Sequence, residues 1–184
     1  MGEILAGVDL IPLPDEVELP PETGTTFEEN ALIKARAARE ATGETVIADD
    51  SGLEVDALDG RPGVYSARYA GEDASDGENL GKVLSDLREL SAGDGESDGF
   101  TARYVCAIAL IDETGEHLFR GTCEGRITLE PRGDGGFGYD PAFVPAATAP
   151  DDLRTMAELS PDEKNRISHR GAAARMLASH LGIS

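Results

Sequence analysis

"FTARYVCAIALIDETGEHLFRGTCEGRITLE", residues 100–130, contains two long runs rich in β-branched and apolar residues on either side of DETG. Such runs around a short polar turn read as two paired strands. With Ile111 facing Glu116, Cys106 faces Gly121 and Cys123 becomes its diagonal neighbour, roughly 7–8 Å away. That span is too long for an unstrained disulfide. The chain's two cysteines therefore read as free thiols, which fits a reducing cytosol. No Cys/His cluster has the sequence spacing of a zinc site.

Helical segments flank this hairpin. "TTFEENALIKARAAREATG" (25–43) predicts a helix capped by Thr26, with Glu29 completing a capping box and Gly43 as its stop. "DGENLGKVLSDLREL" (76–90) predicts a second. "SPDEKNRISHRGAAARMLASHLG" (160–182) starts with N-cap, N1 and N3 signals at Ser160, Pro161 and Glu163, with a second cap at Ser168. Between them, "TVIA" (45–48) reads as a short buried strand ending at Asp49-Asp50, and "LEVDAL" as a further strand-like piece. The Pro-rich stretch 10–24 reads as an extended lead-in, "SAGDGESDG" (91–99) as a mobile loop, and "PRGDGGFGYDPAFVP" (131–145) as a Gly-rich loop entering a short strand. The expectation is one α/β domain over 1–184, a mixed central sheet with flanking helices, and 61–95 as a candidate protruding lobe.

The formal charge is −20, from 36 acidic and 16 basic residues. A field of that sign repels nucleic acid, so binding through a basic surface is not expected. Only three of the basic residues are lysines, Lys34, Lys82 and Lys164. Acid-rich, lysine-poor composition resembles proteins of high-salt cytoplasm, where screening tolerates self-repulsion. No stretch approaches the roughly 20 apolar residues of a membrane span, and the first residues carry no signal-peptide pattern. A cytoplasmic location is the expectation.

Several local patterns could carry chemistry. "IADDSGLEV" (47–55) places two carboxylates and a serine after an apolar run. It can be a polar turn, since Asp, Ser and Gly are turn residues, or a ligand site at a strand end. Side chains alternate along a strand, so one aspartate faces a ligand and the other serves the turn. A carboxylate there suits Mg2+, which takes oxygen ligands and substrate phosphates. Lys34 and Lys164 stand out as phosphate-site candidates in a chain that nearly avoids lysine, although a stem-buried, snorkelling lysine is the plainer account. In "GDGGFGYDP" (133–141) a flat base could stack on Phe137 while Asp140 reads its edge, or the segment is a tight turn around a buried aromatic. "SHRG" (168–171) offers His169 and Arg170 at a helix start to an anion or carbonyl oxygen, or is an exposed cap.

Taken in order, "TGTTFEENALIKA", "ADDSGLEVDALDGRPGVYSARYAGE", "GFGYDP" and "ELSPDEKNRISHRGAAARML" resemble the signature stretches of the inosine triphosphate pyrophosphatase (Ham1-like) family, from about residue 17 to 182. The resemblance implies an elongated mixed α/β fold with two lobes and a cleft. It also implies hydrolysis of noncanonical purine nucleoside triphosphates (ITP, dITP, XTP) to monophosphate and pyrophosphate, with Mg2+, in a homodimer. By the same resemblance Asp50 is the catalytic carboxylate and a Mg2+ ligand, Glu22 the second metal ligand, and Ser51 a substrate contact. Lys34 binds phosphates, the segment Phe137, Gly138, Tyr139 and Asp140 lies at the base, and Lys164, His169 and Arg170 contact the nucleotide, the last two near the purine 6-oxo group. One departure is expected to matter. The family opens with a strand and a phosphate loop of pattern T/S-G-N-x-x-K, whereas "MGEILAGVDL" (1–10) looks like the helix that follows such a loop. Competing readings are a subunit that only binds nucleotide or dimerises, and a Mg2+-dependent phosphohydrolase of other metabolites.

Overall fold

The computed structural model describes Leu5 and residues 8–91, 99–148 and 151–183. The helix expected within 1–10 and the loop expected over 91–99 lie largely outside these residues. Helix α1 spans Phe27–Thr42. The Thr26 hydroxyl accepts from the Glu29 amide at 3.1 Å, and the Glu29 carboxylate accepts from the Thr26 amide at 3.3 Å. This is the reciprocal box expected from the sequence, and Gly43 ends the helix in the left-handed conformation. Helix α2 (Asp76–Ser91) also falls where its periodicity placed it. The C-terminal pattern resolves into α3 (Pro161–Ile167), with its own Ser160–Glu163 box, and α4 (His169–His180), divided at Ser168.

The strands are β1 (Val46–Val55), β2 (Phe100–Ile111), β3 (Glu116–Ile127) and β4 (Phe143–Pro145). They form a four-stranded antiparallel sheet in the order β1-β2-β3-β4. Gly125, Arg126 and Ile127 of β3 pair with Pro145, Val144 and Phe143 of β4. In the β2–β3 turn, Asp112 Oδ1 accepts from the Thr114 amide and hydroxyl at 2.7 and 2.6 Å and from the Gly115 amide at 3.1 Å. Both cysteines are buried free thiols, as the register argument required.

One expectation needs correction. The strand predicted to stop at Asp49-Asp50 continues through Ser51 and Gly52 to Val55. Neither aspartate is spent on an Asx turn; each meets a cation instead, so the extended backbone has no reason to break.

The chain folds into two compact units. The first comprises residues 1–51, 105–122 and 169–184. Its core includes Cys106, Ile108 and Leu110 of β2, Phe119 of β3, and Ala173, Ala174 and Leu177 of α4. Gly121 of β3 lies directly under the start of α4, where a Cβ would collide with the His169 carbonyl and the Ala173 amide. Only glycine allows that approach, and it fixes where α4 begins. The second unit comprises residues 52–104 and 123–168. Its core joins Leu53, Val55, Leu58, Leu80, Val83, Leu87, Phe100, Ile127, Phe143 and Met156. Among the described residues, no helix is long and apolar enough to cross a membrane.

Candidate functional site

In the first unit, Glu22, Lys34 and Asp50 come together. Lys34 extends from α1, and its Nζ lies 2.7 Å from Glu22 Oε1 and 3.2 Å from Asp50 Oδ1. The side chains of Lys34 and Asp50 are only 16% and 11% exposed. That is deeper than a snorkelling lysine needs, and an ammonium at that depth requires a counter-charge. Burial alone would lower the Lys34 ammonium, but Glu22 and Asp50 outweigh it and hold it above its ordinary value. Burial raises Asp50 above the usual carboxylate range, and the opposing pull of Lys34 and of Asn30 does not cancel it.

Asn30 is a residue the sequence did not single out. It is fully buried, donates from Nδ2 to Asp50 Oδ2 at 3.1 Å, and accepts at Oδ1 from the Gly24 amide at 2.8 Å. A Cβ on Gly24 would stand 2.7 Å from that same Oδ1, so glycine is needed for the chain after Glu22 to close onto Asn30. Asn30 thus ties the loop following Glu22 to Asp50. In the sequence it reads as one more polar residue of a helix's first turn, and no signal there announces its burial.

Asp49 points the other way, as strand alternation requires. Its Oδ2 accepts from Arg170 Nε and Nη2 at 3.0 and 2.9 Å. Arg170 Nη2 also donates to Ser51 Oγ at 3.1 Å. Cys106 Sγ lies 3.9 Å from the same Asp49 oxygen. Burial tends to lower the Arg170 guanidinium, but Asp49 overrides it and the net shift is upward. Asp49 is therefore the partner that aims Arg170, a role the tetrapeptide could not disclose because the two residues are 121 positions apart. His169 is buried beside Arg170 at the start of α4.

In the second unit, Phe137, Asp140 and Lys164 form another group. Asp140 is 2% exposed and accepts from the Phe137 amide at 2.9 Å, from the Tyr104 hydroxyl at 3.1 Å and from Lys164 Nζ. Lys164 Nζ also lies 4.4 Å from the centre of the Phe137 ring, which is 61% exposed. Tyr139 is buried, its hydroxyl donating to the Ser66 carbonyl at 2.7 Å, while the Gly138 amide donates to Asp76 at 2.7 Å. Within this segment the accessible groups are the Phe137 ring and Lys164, whereas Tyr139 and Asp140 hold the loop's shape.

The two carboxylates that converge on Lys34 are hard oxygen donors already gathered around one positive charge. That donor set fits a small divalent cation of the Mg2+ class.

A model of the Ham1 family matches residues 1–180. The chain is 50% identical over 179 residues to a dITP/XTP pyrophosphatase of Mycolicibacterium paratuberculosis, covering 96% of this chain and 84% of that one. It is 52% identical over 161 residues to a dITP/XTP pyrophosphatase of Halalkalibacterium halodurans, covering 87% and 78%. Among solved structures, a HAM1 protein from Coxiella burnetii superimposes with a TM-score of 0.87 at 45% identity, over 98% of this chain and 90% of that one. The ordered motifs, the antiparallel sheet and this shared half of the sequence agree, and the chain belongs to the Ham1 family.

Proposed function

We propose that this protein hydrolyses dITP, ITP and XTP to the monophosphate and pyrophosphate, removing them from the nucleotide pool. The observation that carries the reading is the half-buried Glu22–Lys34–Asp50 cluster, in a chain half identical to dITP/XTP pyrophosphatases. Water adds at phosphorus and the α–β anhydride breaks. Asp50 receives the water's proton; a carboxylate raised by burial is a better base than a free one. Asn30 holds Asp50 in place through its Oδ2. Lys34 offers positive charge to phosphate oxygens in a chain whose overall field opposes them. A Mg2+ ion held by Glu22 and Asp50 would supply the additional positive charge that neutralises the departing pyrophosphate.

Arg170, aimed by Asp49 and joined to Ser51, uses three N–H donors in those contacts. Its remaining donors suit a purine 6-oxo acceptor, and with His169 they disfavour a 6-amino group, which would face a donor with a donor. In the second unit, Phe137 offers a stacking face for the base and Lys164 a cation for the nucleotide, with Asp140 positioning both. The same reading takes the chain as one catalytic domain, working as a homodimer in the cytoplasm. The −20 charge with three lysines supports a high-salt cytoplasm such as that of haloarchaea.

The test is pyrophosphate release from dITP, XTP, dATP and dGTP with Mg2+ at low and molar salt. Turnover of dITP and XTP well above dATP is expected. Equal turnover of dATP would overturn the 6-oxo selectivity, and no turnover of any of the four would favour a chain that only binds.

A further inference from the structure

We propose that Asp112, His117 and His180 bind a late first-row divalent metal ion, Zn2+ foremost, at a site built from different residues than the Glu22–Asp50 pair. Each of the three offers one ligand atom, and these atoms all lie within 4.8 Å of one another. A tetrahedral ion with bonds of roughly 2.0–2.1 Å spaces its ligand atoms about 3.3 Å apart. His117 Nε2 and Asp112 Oδ1 are already 3.5 Å apart, so closing the set requires small side-chain rotations.

The three residues come from three places in the first unit: the start of the β2–β3 turn, the start of β3 and the last residue of α4. No spacing in the sequence relates them. The chain has three histidines, and two of them meet here, in a protein otherwise dominated by carboxylates. Imidazole favours zinc-like ions over Mg2+, so this donor set selects a different metal from an all-carboxylate pair.

The surroundings already orient the ligands. Three hydrogen bonds from Thr114 and Gly115 fall on Asp112 Oδ1 and fix the carboxylate. Ligating carboxylates are typically hydrogen-bonded in this way. Thr114 Oγ1 lies 2.9 Å from His117 Nε2, a contact that an ion on that nitrogen would replace. The His117 and His180 rings sit 4.5 Å apart at 45°, with Phe119 5.3 Å beyond His180 as an apolar backing. A bound ion would fasten the end of α4 to the hairpin turn.

The test uses the full chain, stripped with chelator and returned to excess Mg2+ at high salt, so that all-carboxylate sites are filled. Co2+ serves as the spectroscopic probe and Zn2+ as its competitor. The expected result is saturable one-to-one Co2+ binding with a visible absorption band, displaced by Zn2+, and a rise in melting temperature on adding Zn2+. His180→Ala, at an exposed position, should keep the metal-free melting temperature while losing roughly 10-fold or more in Co2+ affinity and the Zn2+-induced rise; His117→Ala should do the same. Absence of saturable binding by the native chain, or equal affinity in His180→Ala and His117→Ala, would overturn the proposal.

Discussion

Replacing Asn30 by alanine is the sharpest test of how the proposed catalytic cluster is held. The substitution removes the donor to Asp50 Oδ2 and the acceptor of the Gly24 amide, both at a fully buried position. Leaving a buried polar group unsatisfied costs about 1–3 kcal/mol, so two such groups plus a small cavity come to about 3 kcal/mol. For a chain of this length each kcal/mol lowers the melting temperature by about 2–4 °C, which predicts a fall of about 6–12 °C. The Asn30 bond favours the charged form of Asp50, so its loss moves Asp50 further upward. A raised carboxylate is ionised only above its pKa, and activity falls as pH drops through it. The acidic limb of kcat/KM for dITP should therefore move to higher pH. Losing a hydrogen bond to a charged group, worth about 1.5–3 kcal/mol, corresponds to roughly a 10- to 100-fold loss of kcat/KM near neutrality. Thermal unfolding and a pH series of pyrophosphate release read both effects. Asn30→Asp is the control: it restores an acceptor for Gly24 and should recover part of the melting temperature. It adds a like charge beside Asp50, so the acidic limb should stay displaced. An Asn30→Ala variant with native melting temperature and an unmoved acidic limb would refute this account of Asn30.

Three further outcomes follow from the geometry. Asp50→Asn should abolish turnover while leaving the circular-dichroism spectrum intact, and its melting temperature should hold or rise, because the ionised Asp50 sits in a burial-disfavoured environment. Surviving activity would remove Asp50 from its role. Gly121→Ala forces a Cβ into the backbone of α4. It should cost about 1–3 kcal/mol as an overpacked contact and weaken dITP selectivity by displacing Arg170 at that helix start. Cys106 and Cys123, both pushed up to about 12 by burial, should react negligibly with a thiol reagent at pH 8 and fully in denaturant. Rapid labelling of the native chain would contradict their burial.

The sequence by itself determined what depends on near neighbours. The Thr26–Glu29 and Ser160–Glu163 boxes, the stop at Gly43, the span of α2 and the β2–β3 hairpin are set by contacts within a few residues, and they fell where expected. The ordered motifs also named Glu22, Lys34 and Asp50, which the fold brings into one half-buried group. Tertiary structure decided the rest. Whether Asp49-Asp50 ends a strand depended on whether distant cations would take the two carboxylates. Lys34 and Arg170 do so from opposite sides, and the strand runs on. That Asn30 is buried while its neighbour Glu29 is not depends on which face of α1 meets Gly24 and Asp50, a property of packing that a polar first turn does not encode. The meeting of Asp112, His117 and His180 likewise exists only because α4 ends beside the hairpin turn. Caps and turns are written in adjacent residues, whereas the pairing of charges far apart in the chain is fixed only when the core has closed.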